Sequence, residues 1–183
     1  MSSYRERCKL RRATHDSGPR KASSIRLVVL HSAEGTSAAG VASFFAGSAQ
    51  ASTQLAVDDR ECWRMLPDLV IPWGAPGANS DGLHVEICGF AKWERTDWRG
   101  HEPMLRRAAW KVAKWCWQYG IPARYLSDKQ LANGTARGIV THVQVSKVFK
   151  KSTHWDPGPG FPKDLFLIWV QNYLAEIKSK RDR

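Results

Sequence analysis

The sequence is short of several things, and each shortage excludes a class of protein. No stretch reaches the roughly 18 consecutive apolar residues that a membrane-spanning helix needs. The opening MSSYRERCKLRRATHDSG is basic but has no apolar run behind it, so no secretory signal peptide is expected. The four cysteines, Cys8, Cys62, Cys88 and Cys116, form no C-x-x-C pair. That spacing argues against a cysteine-rich zinc module and a disulfide framework, and predicts reduced, mostly buried thiols in a protein made in the cytoplasm. No G-x-S-x-G elbow is present, which removes the usual serine hydrolase signature. Helix-turn-helix, RNA-recognition and zinc-finger patterns are missing too, so the chain is not read as a nucleic-acid binder. Acidic residues are the last shortage. Against 28 Lys and Arg stand only 17 Asp and Glu, a net charge of +11 that implies an anionic partner.

What is present suffices for one folded domain of 183 residues, 43% of them apolar. Residues 1–24 carry seven Lys or Arg and few large apolar side chains, and read as a solvated, flexible basic arm. Folded structure is expected from Ile25, where IRLVVL suits a buried strand ending at His31. Ser37 to Phe45 reads as a short helix with Ser37 as N-cap and Gly47 as its stop. Segments 53–58 and 61–66 flank Asp59-Arg60 as a hairpin, and 72–82 is a Pro- and Gly-rich loop. Leu83 to Cys88 alternates, with Leu83, Val85 and Ile87 on one face and His84, Glu86 and Cys88 on the other. Pro103 to Tyr119 reads as the longest helix, burying Leu105, Ala108, Ala109, Val112 and Cys116. Gly138 to His142 is another short strand, a long loop runs to Pro162, Lys163 to Ile177 is a helix, and 178–183 is a charged tail. Strands alternating with helices without strict repetition imply an α/β fold, a central mixed sheet flanked by helices.

Two of six histidines stand out by position. His31 and His142 each end a short apolar strand beside a loop, a natural start for a metal site, although 111 residues separate them. Asp156, ahead of Pro157-Gly158-Pro159, is either a turn residue bonded to its own backbone or a third ligand held in a fixed direction. Two imidazoles and a carboxylate suit zinc with a fourth position open to water. Glu86 lies mid-strand, where an unpaired carboxylate is costly. It either pairs with an arginine or faces a cleft as a general base. His84, on the same face, is a lower-ranked alternative.

The ordered set VVLHSAEG, HVEICG, GIVTHVQVS and HWDPGPGF resembles the amidase-2 family, the zinc-dependent N-acetylmuramoyl-L-alanine amidases that share their fold with peptidoglycan recognition proteins. The likeness covers about residues 25–175 and looks most like the amidase domain of a phage or prophage endolysin. It implies Zn2+ on His31, His142 and Asp156, Glu86 beside the attacking water, and His154 where relatives often carry a lysine that steadies the oxyanion. Lys147, Lys150 and Lys151 are rivals for that last role. The usual His-Tyr pair after the first helix is replaced by Thr53-Gln54-Leu55.

The resemblance further implies hydrolysis of the amide between N-acetylmuramic acid and L-alanine, with peptidoglycan and anionic wall polymers as partners. The enzyme would be made in the cytoplasm without a signal peptide and act on the wall after release. A recognition-only protein of the same fold is the alternative. Of nine tryptophans, Trp63, Trp73, Trp93, Trp98 and Trp155 fall near predicted loops where they could stack on sugars, with Trp155 and Trp73 the chosen substrate-binding candidates.

Overall fold

A computed structural model describes residues 5–181. The run IRLVVL forms the heart of β2 (Leu27–Ser32), whose six residues are all buried. A strand buried on both faces needs parallel neighbours and covering helices, and β2 has both. It pairs in parallel with β5 (Gly82–Ile87) and β6 (Gly138–Thr141). Beyond β5 come β3 (Leu55–Val57), β4 (Cys62–Arg64) and β1 (Lys9–Leu10), giving the six-stranded order β1-β4-β3-β5-β2-β6. Only the β3–β4 hairpin pair is antiparallel, so the sheet is mixed.

Period-two alternation divides the strands between two cores. Val28, Leu30, Leu83, Val85 and Ile87 pack with α3 (Glu102–Gln118) and α6 (Lys163–Arg181). The face anticipated for α3, from Leu105 to Cys116, is buried there. Each fully buried Leu or Ile of this layer contributes about 1.5–3 kcal/mol of burial free energy. On the other face Leu27, Val29 and Val140 meet Ala75, Ala78, Leu126, Leu131 and Val145. That second layer is built by the 72–82 loop, α4 (Asp128–Ala132) and α5 (His142–Phe149), while α1 (Ala38–Ala46) lies over β3, β4 and β5. Ser37 caps α1 by accepting the Gly40 N–H at 3.1 Å. A short helix, α2 (Arg95–Gly100), precedes α3.

Four expectations are corrected. The segment after β6 is not a loop throughout, because His142 is the first residue of α5. The basic arm is not a free, solvated chain over its described part. Lys9–Leu10 adds a strand to β4, Arg11 and Ala13 donate N–H bonds to Arg64 and Met65 carbonyls, and Arg20 reaches the carbonyls of Asp68, Asn79 and Gly82. Charge composition suggested solvation, but guanidinium groups can satisfy several buried carbonyls at once. Residues 1–4 lie outside the described part. Third, Cys8 and Cys62 are joined as a disulfide with Cα atoms 4.5 Å apart, and only Cys88 and Cys116 remain as the buried free thiols anticipated. The pairing of β1 with β4 brings together two cysteines whose sequence spacing gave no hint of it. The charged tail also differs, since α6 continues through it to Arg181. Among the described residues no helix is long and apolar enough to cross a membrane.

Candidate metal centre

The second face of the sheet turns polar at the carboxyl ends of β5, β2 and β6. Ligand sites in open α/β sheets favour such ends, where connections leave to opposite sides. Alternation that buries Leu27 and Val29 delivers His31 to this edge, and Glu86 is its register partner on β5. On the other side Leu30 pairs with Thr141, so His142 emerges beside His31 at the start of α5. The Asp156 carbonyl accepts the Val143 N–H at 2.9 Å, which ties the 150–162 segment to the first turn of that helix. Asp156 precedes a cis Pro157, and Gly158 follows with φ of 81°. A Cβ at Gly158 would lie 1.8 Å from the Ala91 carbonyl oxygen, so this position admits only glycine.

The three side chains converge. His31 Nδ1 and His142 Nδ1 are 3.0 Å apart, and the Asp156 carboxylate lies 3.3 Å from His31 Nδ1 and 3.0 Å from His142 Nδ1. Ser32 donates its backbone N–H to the same carboxylate at 3.3 Å. Four-coordinate zinc, with bonds of about 2.0–2.2 Å, sets its ligand atoms about 3.3–3.5 Å from one another. The contacts approach that spacing, with Asp156 meeting His31 through Oδ2 and His142 through Oδ1; taken as one ligand atom per residue, the three atoms lie within 4.8 Å of one another, and all three residues are buried. They can hold a metal ion. His142 Nε2 is buried without a hydrogen-bond partner, so this ring is oriented by what it meets at Nδ1.

The electrostatics agree with a cation-ready pocket. Burial alone would raise the Asp156 carboxyl, but the adjoining His142 and His31 rings outweigh it and hold the group well below the usual carboxylate range. Burial lowers the His142 imidazole, offset only in part by Asp156, which favours the neutral ring that ligates. Burial, followed by His31, lowers His84 well below its ordinary value. Glu86 is 7% exposed, and no cation pairs with it among the described residues. Burial first, then the charges of Asp156 and Glu34, push its carboxyl well above the ordinary 4.5. Of the two readings open for Glu86, the cleft is the one observed.

A cavity of about 330 Å³ opens over these groups, lined by His31, Phe44, Trp73, Glu86, His142, His154 and Asp156 among others. A second hollow of about 400 Å³ runs along α1 past Ala33, Val41 and Gly40, and Phe44, Phe45 and Glu86 line both. His154 sits at the rim, its ring stacked on His142 with centroids 4.4 Å apart. Its Nδ1 is 3.5 Å from Asp156. Of the rival lysines, Lys147 is paired with Asp128, and none of Lys147, Lys150 and Lys151 lines the cavity.

Trp73 forms part of the wall, held by His15, which stacks on it at 5.1 Å, and by Ser17, which accepts its indole N–H at 2.7 Å. Trp155 stands 52% exposed beside Asp156. The other loop tryptophans lie elsewhere. Trp98 is fully buried in α2, Trp93 stacks on His101, and Trp63 belongs to β4. Phe44 escaped the sequence reading, although it lies off the Ala38–Ala42–Phe45 face of α1 and is 62% exposed. An apolar residue outside its helix's buried stripe was the available signal.

Comparison with known proteins agrees with this geometry. Structurally, the chain is similar to Staphylococcus aureus hydrolase AmiA in complex with its ligand, at TM-score 0.72 and 17% identity over 94% of this chain and 86% of that one. A mutant endolysin from Bacillus subtilis follows at 0.60 and 16%, covering 90% and 99%. N-acetylmuramoyl-L-alanine amidase LysC from Clostridium intestinale gives 0.54 and 11%, covering 90% and 99%. At these identities the likeness speaks for the fold. No curated protein matches by sequence. The Amidase_2 profile, described as N-acetylmuramoyl-L-alanine amidase, matches residues 21–159. The chain therefore belongs to the Amidase_2 family and is an N-acetylmuramoyl-L-alanine amidase, an enzyme that hydrolyses the amide between N-acetylmuramic acid and L-alanine in peptidoglycan.

Proposed function

We propose that the ion is zinc, held by His31, His142 and Asp156, and that Glu86, His154, Trp73 and Trp155 complete the machinery of a wall-lysing amidase. One observation carries the reading: three buried residues whose ligand atoms lie within 4.8 Å of one another share a cavity with a buried glutamate that no cation pairs among the described residues. When bound, zinc polarises the scissile carbonyl and acidifies the attacking water. Glu86, on the strand beside His31, takes the water proton and passes it to the leaving amine nitrogen of L-alanine. A ring N–H of His154 donates to the oxygen that gains negative charge as the carbonyl carbon becomes tetrahedral. Trp73 and Trp155 present aromatic faces at the rim for the sugar rings of the glycan.

The +11 charge supplies attraction to carboxylate- and phosphate-bearing wall polymers. The Cys8–Cys62 bond fits a protein that works outside the reducing cytosol, as a phage or prophage endolysin does after release from the cell that made it. The deciding experiment is digestion of purified walls with and without a chelator, with fragments identified by mass spectrometry. Stem peptides beginning at a free L-alanine amine, released only with metal present, are the expected products. New reducing sugar ends, or release unaffected by chelation, would overturn the proposal.

A further inference from the structure

Among the described residues His84 is a fully buried histidine that contributes no ligand atom to the triad. It sits on β5 two residues before Glu86, on the same face, and stacks on His31 with centroids 5.2 Å apart and planes 26° apart. Its Nδ1 lies 3.0 Å from His31 Nε2, and its Nε2 lies 3.2 Å from the Ala78 carbonyl oxygen. A carbonyl oxygen only accepts, so Nε2 of His84 carries a hydrogen. In the neutral ring Nδ1 is then an acceptor, and the hydrogen between the two rings belongs to His31 Nε2. His31 is left with a bare Nδ1, the atom that faces His142 and Asp156 at 3.0 and 3.3 Å.

The structure assigns His84 as a positioning residue: hydrogen-bonded to the Ala78 carbonyl, it fixes His31 in the ring form whose Nδ1 can bind a cation. The inference rests on reading the triad as a metal site. A ligating imidazole is commonly oriented by a partner on its other nitrogen, and here that partner is a second imidazole whose own tautomer is set by the backbone.

The niche around His84 admits its ring and little else. A Cβ at Gly74 would come within 2.6 Å of His84 Nδ1, and one at Gly82 within 2.8 Å of Nε2. Gln54 pins the strand at this point by accepting the His84 backbone N–H at 2.8 Å, while its own amide donates to Val70 at 2.9 Å. The carbonyl that anchors the relay lies in the 72–82 loop, which Arg20 clamps through Asn79 and Gly82. His142 lacks any such support, since its Nε2 has no partner. His31 is therefore held from both of its ring nitrogens, whereas His142 is held at Nδ1 and by stacking on His154.

Long-range 1H–15N correlation spectra of the zinc-loaded and metal-free wild type report which ring nitrogens carry hydrogen. Hydrogens on Nε2 of both His31 and His84 are expected in the loaded protein, and a hydrogen on His84 Nδ1 overturns the inference. Zinc affinity is then measured by competition with a chromophoric chelator for wild type, His84→Phe and His84→Asn. Phe keeps a ring but has no acceptor, whereas the Asn side-chain oxygen can accept from His31 Nε2. Loss of about 10- to 100-fold in His84→Phe, largely recovered in His84→Asn, is expected.

Unchanged affinity in His84→Phe, or equal loss in both variants, overturns the positioning role in favour of none or of packing alone. If His84→Phe does not fold, the wild-type spectra and His84→Asn still decide. A wild type that binds no zinc removes the metal-site reading and this inference with it. Normal zinc binding with an unaffected His84→Phe removes the inference alone.

Discussion

His31 and His142 meet Nδ1 to Nδ1 at 3.0 Å across 111 residues of sequence, because β2 and β6 are hydrogen-bonded neighbours in the register Leu30 to Thr141. The sheet sets this separation, and Asp156 closes the triangle through a loop tied to α5. His31→Ala, His142→Ala and Asp156→Ala should therefore each abolish tight binding of one zinc per chain, measured by metal analysis after dialysis. Because the ion binds only the folded chain, chelation should also lower the melting temperature. Free metal at a hundred times its Kd stabilises by about 2.7 kcal/mol. A melting curve indifferent to chelator would count against the site.

Glu86→Gln separates catalysis from metal binding. Zinc content should stay near one per chain, while turnover on walls falls by about 10²- to 10⁴-fold, the usual worth of a general base. The same variant has a second effect of opposite sign. The folded-state carboxyl of metal-free Glu86 titrates above its ordinary 4.5, so its neutral form favours folding at low pH and that benefit is lost as pH rises through the raised value. In the metal-free state Glu86→Gln should thus melt higher than wild type near pH 7, with the gap closing as pH approaches 4. Retained activity in Glu86→Gln would remove the base assignment.

Much of this candidate site is legible in the sequence, and the reason is local. Strand periodicity sets Glu86 on the face opposite Leu83, Val85 and Ile87, His31 and His142 each end a short apolar strand, and the Asp-Pro-Gly turn offers a carboxylate that could be held in one direction. What escaped depended on contacts distant in sequence. The Cys8–Cys62 bond exists because β1 adds to β4, and a two-residue strand with both side chains exposed leaves no hydrophobic pattern. Arg20 reads as solvated charge until the carbonyls of Asp68, Asn79 and Gly82 are seen around it. His84 read as a lower-ranked alternative on Glu86's face, and only the Ala78 carbonyl shows that its hydrogen-bonding roles are already taken.

The docked arm has a measurable worth. Cross-linking residues 54 apart removes about 4 kcal/mol of loop entropy from the unfolded chain. Cys8→Ser, or reduction of the wild type, should lower denaturant stability by up to that amount. The arm also supports Trp73 through His15 and Ser17, so reduction should weaken substrate binding before it affects zinc content. Melting that is equal with and without reductant would show that the bond does not form in solution.

The rim aromatics should separate binding from chemistry. Phe44→Ala, Trp73→Ala and Trp155→Ala each remove an aromatic face at or beside the cavity without touching the metal ligands. A loss of about 1 kcal/mol per face corresponds to a KM about fivefold higher with kcat little changed. A variant that lowers kcat at constant KM would place its aromatic group in the chemistry instead, and Trp155, next to Asp156, is where that exchange would show first.

Charge makes the last prediction, and it depends on substrate size. An attraction spread over a surface of net charge +11 is screened as salt rises, the Debye length falling from about 10 Å at 0.1 M to about 3 Å at 1 M. Interactions within the buried His31–His142–Asp156 cluster are screened far less. High salt should therefore release the protein from sedimented walls and slow their digestion, while hydrolysis of a small soluble muramyl peptide stays nearly constant. If both activities fall together, salt is acting on the catalytic centre. If neither falls, the positive surface is not what holds the enzyme on its polymer, and the wall must be gripped through the cavity and its aromatic rim alone.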